Sequence, residues 1–473
     1  MDAKRVLEIF KEITRIPRES GHEEPITAWL LEWAKAHGLE SKRDEIGNVL
    51  IARPAAPGKE NVPTLVLQAH QDMVCEKLPA SKHDFLKDPI EFVIEDGWMI
   101  AKETTLGADD GIGIAACLAL LEANDPTGRL ECIFTISEET GMDGAEAMQP
   151  GFFSGKTLIN LDSEDEGQMF IGCAGGVTTE ATFNYNTEPV GAAETVKLTI
   201  ASGLGGHSGD DINKGRANTV MLLLRFLYSQ LGSGLRLVSL DGGGKHNAIA
   251  RECSAVVASA DAAALKSAFA EFGEVLREEF HTTDPGLTFE TEQAQAGEAM
   301  NAADSRRIIA SLYACPHGVL AMSQDIKDFV ETSTNLASVR TNAAEHTVFV
   351  CTSQRSSSKP ACRAAAAKVE AALALGGAQV VHLSEYPGWN PNVNSHILKV
   401  CVESYKKCFG QDPLVLAIHA GLECGLFLEK FPDLDMISFG PTLRGVHAPG
   451  EKLELASLDK FVRHLEDVVV NFR

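Results

Sequence analysis

Basic residues are scarce in this chain relative to acidic ones, and this scarcity limits its partners. The 473 residues include 42 Lys and Arg against 66 Asp and Glu, which gives a formal net charge of −24. Nucleic acids and anionic membrane surfaces are bound by clustered Lys and Arg. We therefore expect neither of them as a partner.

Long apolar runs and paired cysteines are missing as well. No run approaches the roughly 20 residues of a membrane span, and MDAKRVLEIFKEITRIP at the start predicts an amphipathic helix, unlike a signal peptide. The 11 cysteines are scattered and form no C-x-x-C pair, which is typical of thiols that stay reduced. These features predict a cytoplasmic protein.

Two patterns of secondary structure alternate along the chain, whose length predicts more than one domain. Unbroken apolar strands such as TLVLQAH and TLINLDSE alternate with helices, which indicates a sheet covered on both faces. Long amphipathic helices with alternating strands interrupt this pattern. We therefore predict an α/β domain with a mixed sheet sandwiched by helices, in two segments (1–176 and 385–473), interrupted by an α+β domain over 177–384.

The strand TLVLQAH is followed by a polar pair, His70 and Asp72. Side chains two residues apart on a strand point to the same side. An Asp that accepts one ring N–H of a His leaves the other nitrogen free for a metal. A surface turn with two unrelated polar residues is the alternative.

Four further segments carry acidic or imidazole side chains, either at the C-terminal end of an apolar strand or between a Gly turn and a helix. Ligands of open α/β sheets gather outside the carboxyl ends of the strands. An isolated carboxylate is more often a cap or a solvated side chain, but five such segments indicate one site. The further candidates are Asp109, Asp110, Glu138, Glu139, Asp162 and His447.

These residue types indicate a metal site with two ions. Imidazoles and carboxylates without Cys suit Zn²⁺, Mn²⁺ or Co²⁺. One His and one acid per ion, together with a shared carboxylate, would hold two ions that share a hydroxide and polarise a carbonyl. Glu138 and Glu139 diverge at a strand end, so one can bind metal while the other acts as a general base.

The motifs resemble the co-catalytic di-zinc metallopeptidases, the family of peptidase V, peptidase T and carnosinase. LQAHQDMV, TTLGADDGIG, SEETGMDGA, NLDSEDEGQ and FGPTLRGVHAPGE carry this resemblance, while GGHSGDDINKGRAN and HAGLECG resemble the bacterial aminoacyl-histidine dipeptidase branch. The resemblance implies that the α/β domain is catalytic and that the α+β insert is a lid.

The resemblance also implies two divalent ions per chain, Zn²⁺ first and Mn²⁺ or Co²⁺ as alternatives. The implied ligands are Asp109 bridging both ions, Glu139 and His447 on one ion, and His70 and Asp162 on the other. Glu138 would be the general base, Asp72 would orient His70, and the Asp109–Asp110 peptide is expected to be cis.

Substrate contacts follow from the same resemblance. His207 would hold the developing oxyanion, Arg355 would grip a substrate carboxylate, and Asn247 would add a polar contact. His419 and Glu423, in the turn HAGLECG, would anchor a substrate terminus or side chain. The alternatives are lid-surface residues for the first three and a packed turn for the last two.

The implied function is a metal-dependent dipeptidase that hydrolyses Xaa-His and other dipeptides, such as β-alanyl-histidine. A metal-bridging hydroxide would attack, and Glu138 would serve as general base. One alternative is an N-acyl-amino-acid deacylase or desuccinylase with the same metal chemistry. Another is a non-catalytic metal-binding protein, which the intact Glu138 and ligand positions disfavour. A homodimer through the lid is possible. A monomer is the alternative, because the insert is long enough to supply His207 within one chain.

Overall fold

The computed structural model describes every residue from Met1 to Arg473, and the chain divides into two compact units. The first unit contains Met1–Gly172, Trp389–Ala417 and Leu422–Arg473, and the second contains Cys173–Gly388 and Ile418–Gly421. The second unit thus begins four residues before, and ends four residues after, the predicted insert. It also includes the tetrapeptide of His419, which the sequence placed in the last segment.

Twelve α-helices and a single 3₁₀ turn (Leu231–Ser233) are present. In chain order the helices are α1 Ala3–Ile13, α2 Glu24–Ala36, α3 Ala108–Glu122, α4 Glu138–Gly141, α5 Asp143–Ala147, α6 Thr219–Ser229, α7 Ala262–Glu279, α8 Ala302–Ala314, α9 Lys359–Leu375, α10 His396–Phe409, α11 Glu423–Lys430 and α12 Leu455–Asn471. No helix combines the length and the apolarity that crossing a membrane requires.

Twenty-three strands complete the secondary structure. They are β1 Glu40–Arg43, β2 Val49–Arg53, β3 Leu65–His70, β4 Phe92–Glu95, β5 Trp98–Ala101, β6 Leu130–Thr135, β7 Thr157–Asn160, β8 Gln168–Cys173, β9 Gly175–Asn184, β10 Thr187–Pro189, β11 Glu194–Ala201, β12 Arg236–Gly243, β13 Cys253–Ser259, β14 Thr288–Ala294, β15 Glu298–Met300, β16 Gly318–Met322, β17 Val330–Asn342, β18 Thr347–Ser356, β19 Gln379–Tyr386, β20 Leu414–Ile418, β21 Asp435–Ser438, β22 Leu443–Arg444 and β23 Lys452–Glu454.

An eight-stranded mixed sheet forms the centre of the first unit, with the order β1-β2-β6-β3-β7-β21-β8-β20. The strands β6, β3, β7 and β21 run parallel, whereas β1, β2 and β8 pair antiparallel with their neighbours. Every residue of β3, β6 and β7 is buried, as expected of parallel strands covered on both faces. The prediction of a mixed sheet within helices is confirmed.

Helix α3 packs against β3 and α1 and is buried along almost its whole length. Gly111 allows the close approach of α1, since a Cβ at this position would lie 2.8 Å from Cε2 of Phe10. A smaller four-stranded sheet, with the order β22-β23-β5-β4, adds to the first unit.

A second large sheet forms the centre of the second unit, with the order β14-β11-β13-β12-β17-β18-β9-β19 and β16 paired to β17. All of its pairings are antiparallel. Helices α6 to α9 pack on this sheet, and the core between them includes Leu198, Phe226, Val257, Leu336 and Val350. The insert therefore has the α+β character that its sequence predicts.

Candidate functional site

The candidate metal ligands of the first unit come together near the carboxyl ends of its parallel strands. His70 is the last residue of β3, and Asp162 follows β7 by two residues. Asp109 lies in the first turn of α3, Glu139 lies in α4, and His447 lies in the loop between β22 and β23. Five separate segments of one unit thus converge.

The carboxylate of Asp109 lies between two imidazoles. Its Oδ1 is 3.0 Å from Nε2 of His70, and its Oδ2 is 3.1 Å from Nε2 of His447. Nε2 of His70 is also 3.5 Å from Oδ1 of Asp162, and Nε2 of His447 is 3.0 Å from Oε2 of Glu139. Two groups of side chains therefore share one carboxylate.

The backbone around Glu138 differs from the strand end that its sequence predicted. Ser137 adopts φ of 51°, and its N–H and hydroxyl both donate to Oε1 of Glu23 at 3.0 Å. This left-handed residue ends the extended chain and begins the short helix α4. Glu138 and Glu139 are consecutive helical residues, whose side chains also point in different directions.

The carboxylate of Asp72 organises this helix and His70 together. Its Oδ1 accepts the backbone N–H of Glu138 at 3.0 Å, and its Oδ2 accepts the N–H of Glu139 at 3.2 Å and the hydroxyl of Ser20 at 2.7 Å. Its Oδ1 also lies 3.3 Å from Nδ1 of His70. Although burial alone would raise the pKa of Asp72, these hydrogen bonds lower it to about 2.

The electrostatics show an excess of carboxylates over cations. Burial opposes a charge on His70, yet the surrounding carboxylates of Asp162 and Asp109 raise its pKa well above the usual value. Burial and the charge of Asp109 raise the pKa of Asp162. Burial together with Glu139 and Asp109 raises the pKa of Glu138 to about 8. Such a site is favourable for divalent cations, which would offset the excess negative charge.

The donor set also fits a metal on chemical grounds. The ligand atoms of His70, Asp109 and Glu139 lie within 4.8 Å of one another, as do those of His70, Asp110 and Asp162. Oδ2 of Asp110 is buried without a hydrogen-bond partner. Imidazole nitrogen and carboxylate oxygen without thiolate suit Zn²⁺, Mn²⁺ or Co²⁺. The Asp109–Asp110 peptide is cis, as the family resemblance implied.

Comparison with known proteins identifies the chain. The model of peptidase family M20/M25/M40 matches residues 66–471. The chain belongs to this family. It is 39% identical over 460 residues to the cytosol non-specific dipeptidase of Escherichia coli strain K12, which covers 96% of this chain and 94% of that protein. Members of the M20/M25/M40 family depend on a metal, and the cluster around His70 and Asp109 could hold one.

Solved structures agree with this assignment. Aminoacylhistidine dipeptidase from Vibrio alginolyticus superposes with a TM-score of 0.93 and 38% identity, over 99% of this chain and 96% of that one. Aminopeptidase PepT from Bacillus cereus ATCC 10987 gives a TM-score of 0.59 at 17% identity, over 99% and 98% of the two chains. The latter similarity concerns the fold alone.

Three candidate substrate contacts of this M20/M25/M40 chain lie in the second unit, where two of them meet. Nη2 of Arg355 is 3.4 Å from Nε2 of His207, and its Nη1 donates to the hydroxyl of Tyr386 at 3.0 Å. Nε of Arg355 is buried without a hydrogen-bond partner. The carbonyl of Asn247 accepts the N–H of Ser208, next to His207, at 2.8 Å.

The two candidates of the turn HAGLECG are separated by the division of the chain. His419 belongs to the second unit, where its Nε2 lies 2.7 Å from the hydroxyl of Ser333. Burial and the charge of Arg355 lower the pKa of His419 to about 3. Glu423 belongs to the first unit and is 0% exposed.

Two residues that fix the Asp109 loop were given no role by sequence. Glu451 is buried and accepts the N–H groups of Leu106 and Ala108 at 2.7 and 2.9 Å. Arg18 is also buried, donates to the carbonyl of Asp72 at 2.6 Å and donates to the carbonyl of Gly107. Glu451 is the last residue of the motif FGPTLRGVHAPGE, which carries the family resemblance. The contacts of Glu451 and Arg18 are with backbone atoms that are distant in the sequence, so sequence motifs could not predict them.

Proposed function

We propose that this protein is a metal-dependent dipeptidase that holds two divalent ions. The observation that carries the proposal is the position of Asp109, whose two oxygens face His70 and His447 separately. One ion would be held by His70, Asp109 and Asp162, and the other by His447, Asp109 and Glu139. Zn²⁺ is the first choice of metal, with Mn²⁺ or Co²⁺ as alternatives.

A bound metal pair would polarise the scissile carbonyl and lower the pKa of the attacking water. The protein supplies the movement of the proton. The carboxylate of Glu138 would accept the proton from the water, and the carboxyl so formed would deliver it to the leaving amine. Burial and the neighbouring carboxylates raise the pKa of Glu138, which favours its holding the proton between the two steps. Asp72 supports the base because it accepts the backbone N–H of Glu138.

The second unit offers a group that suits the free carboxylate of a dipeptide. Arg355 is 7% exposed, and its buried Nε has no hydrogen-bond partner within the protein. A guanidinium binds a carboxylate through two parallel hydrogen bonds. We infer that Arg355 binds the substrate carboxylate, that His207 beside it stabilises the oxyanion, and that Asn247 adds a polar contact.

The substrates are proposed to be dipeptides in general, with Xaa-His dipeptides such as β-alanyl-histidine among them. The names of two relatives, a non-specific dipeptidase and an aminoacylhistidine dipeptidase, support this class. The cytosolic relative also supports a location in the cytoplasm. A homodimer through the second unit stays a prediction, which light scattering in solution would test.

Hydrolysis of three substrates by the metal-loaded protein tests the proposal: β-Ala-His, Gly-Leu and an N-acetyl amino acid. We expect cleavage of both dipeptides and none of the acetyl compound. Cleavage of the acetyl compound alone would overturn the dipeptidase assignment in favour of a deacylase. The ratio of the two dipeptide rates would measure the preference for histidine.

A further inference from the structure

A row of buried polar side chains crosses the sheet of the first unit next to the candidate metal ligands. Gln68 of β3, Asn160 of β7 and Ser438 of β21 are register partners on adjacent parallel strands, and each is 0% exposed. Residues two apart on a strand share a face. Gln68 therefore shares the face of His70, and Asn160 precedes Asp162 by the same interval.

The hydrogen bonds of this row all run in one direction. The hydroxyl of Ser438 donates to Oδ1 of Asn160 at 2.5 Å, and Nδ2 of Asn160 donates to Oε1 of Gln68 at 2.5 Å. Nε2 of Gln68 then donates to Oε2 of Glu423 at 2.6 Å. Each donor thus points toward Glu423, which accepts at the end of the row.

The carboxylate of Glu423 contacts this row and one further side chain. Glu423 is the first residue of α11, and its Oε2 accepts a second hydrogen bond, from the hydroxyl of Thr135 at 2.9 Å. Its Oε1 is buried without a partner. Burial and the charge of Glu138 raise its pKa to about 8. The row requires the oxygen Oε2 of Glu423, which accepts from both Gln68 and Thr135.

Without Glu423 the row would lose its terminal acceptor. Thr135 and Gln68 would then keep buried donors with poorer partners or none. Buried donors left unpaired are costly, and hydrogen bonds in a connected row reinforce one another. The side chains would rearrange. Because Gln68 lies in β3 and Asn160 lies in β7, this rearrangement would reach His70 at the end of β3 and Asp162 just after β7.

We propose that Glu423 is a positioning residue, which ends the hydrogen-bond row Ser438–Asn160–Gln68 and thereby fixes His70 and Asp162 for metal binding. This inference rests on the proposed metal site. It assigns Glu423 a different role from the substrate anchor that the sequence predicted, because the residue is 0% exposed.

The test compares Glu423→Leu with the conservative Glu423→Gln, which keeps an acceptor oxygen. Zn²⁺ affinity is measured by competition with a chromophoric chelator, and kcat and KM are measured for Gly-Leu. We expect Glu423→Leu to bind Zn²⁺ about tenfold more weakly, the lower end of the range for partners that hydrogen-bond a metal ligand directly, because Glu423 acts through Gln68. Glu423→Gln should restore the affinity to within about threefold, which is close to neutral on a scale of 1.4 kcal/mol per tenfold.

Two further variants complete the design. Glu429→Gln, in the exposed part of the same helix, should leave Zn²⁺ affinity unchanged. Thr135→Val keeps the shape and removes the hydroxyl that donates to Glu423 and accepts from Gln68. It should weaken Zn²⁺ binding in the same direction as Glu423→Leu but less. It keeps the test available if Glu423→Leu fails to fold.

The inference is overturned if Glu423→Leu binds Zn²⁺ normally, or if its KM rises while its Zn²⁺ affinity is unchanged, as a substrate anchor requires. Equal losses in Glu423→Gln and Glu423→Leu would also overturn it. If the unchanged protein itself binds no Zn²⁺ and cleaves no dipeptide, the proposed function fails instead, so the two failures are distinguishable.

Discussion

Asp72 holds Glu138 by its backbone, since Oδ1 of Asp72 accepts the N–H of Glu138 at 3.0 Å. The same carboxylate lies 3.3 Å from Nδ1 of His70. One side chain therefore sets the position of the proposed base and the orientation of a proposed ligand.

Replacing Asp72 by Ala should weaken metal binding and turnover together. The variant removes the acceptor of two backbone N–H groups and the partner of His70, so we expect Zn²⁺ affinity to fall about 10–100-fold. A chelator competition assay measures this loss. Ser20→Ala is the matched control, because it removes only the hydroxyl contact to Asp72 and should cost less. Unchanged affinity in Asp72→Ala would contradict the orienting role.

Replacing Glu138 by Gln should separate metal binding from catalysis. The amide cannot accept a proton, so kcat should fall about 10²–10⁴-fold, while the metal content measured by elemental analysis stays at the level of the unchanged protein. Equal loss of metal and turnover would show that Glu138 is a ligand. A protein that only binds metal would have no turnover to lose.

Replacing Arg355 by Gln should affect substrates according to their carboxylate. Loss of a charged hydrogen-bond donor costs about 1.5–3 kcal/mol, so kcat/KM for Gly-Leu should fall about 10–100-fold. The same variant should cleave the dipeptide amide, which lacks the carboxylate, as well as the unchanged protein does. Tyr386→Phe, which removes only the hydroxyl that Arg355 contacts, should have a smaller effect. Equal losses for Gly-Leu and its amide would disprove the carboxylate contact.

Replacing Glu451 by Gln should loosen the loop before Asp109. Both carboxylate oxygens accept backbone N–H groups of Leu106 to Ala108. In the Gln variant the side-chain amide nitrogen replaces one of these oxygens, and it cannot accept a hydrogen bond from a backbone N–H. We expect a loss of about 1–3 kcal/mol in the free energy of unfolding, measured by urea titration. Glu454 lies outside this loop, so the free energy of unfolding of Glu454→Gln should stay within about 0.5 kcal/mol of that of the unchanged protein. A similar loss in both variants would argue against a specific role.

Acid should destabilise the first unit through His464. Nε2 of this buried residue lies 3.0 Å from the carbonyl of Cys401, and burial lowers its pKa to about 4. Below the usual pKa of about 6.5, the unfolded chain binds a proton that the folded chain rejects. Stability therefore falls as the pH drops from about 6.5 toward 4, and then levels off.

The size of this effect can be measured by urea unfolding at pH 7 and pH 5. His464 should account for about 2 kcal/mol of the difference, so His464→Gln, whose amide can still donate to the carbonyl, should show a correspondingly smaller drop. An identical drop in both proteins would mean that His464 does not titrate in this window.

The central part of the fold was predictable from sequence because burial on both faces leaves a plain signal. The strands β3, β6 and β7 are buried at every position and are mostly apolar, so the polar residues at their ends stand out. The ligand candidates were visible because each lies next to such a run or to a Gly-rich turn.

Other features depend on contacts between distant residues and could not be predicted. The turn at Ser137 adopts a left-handed conformation that its contacts with Glu23 support. His419 joins the second unit because the N–H of Ala174 donates to carbonyl groups on either side of it. Arg18 donates to backbone carbonyls, which every residue type has, so no sequence motif marks these contacts.

The interrupted first unit imposes an order of assembly on the two proposed ion sites. His70, Asp109 and Asp162 all precede the second unit, whereas His447 follows it. A ribosome that adds about 5–20 residues per second needs roughly 15–60 s to travel from Asp162 to His447. During that interval the nascent chain already carries His70, Asp109 and Asp162 and lacks His447, so the site proposed for the second ion can be completed only after the second unit has been synthesised.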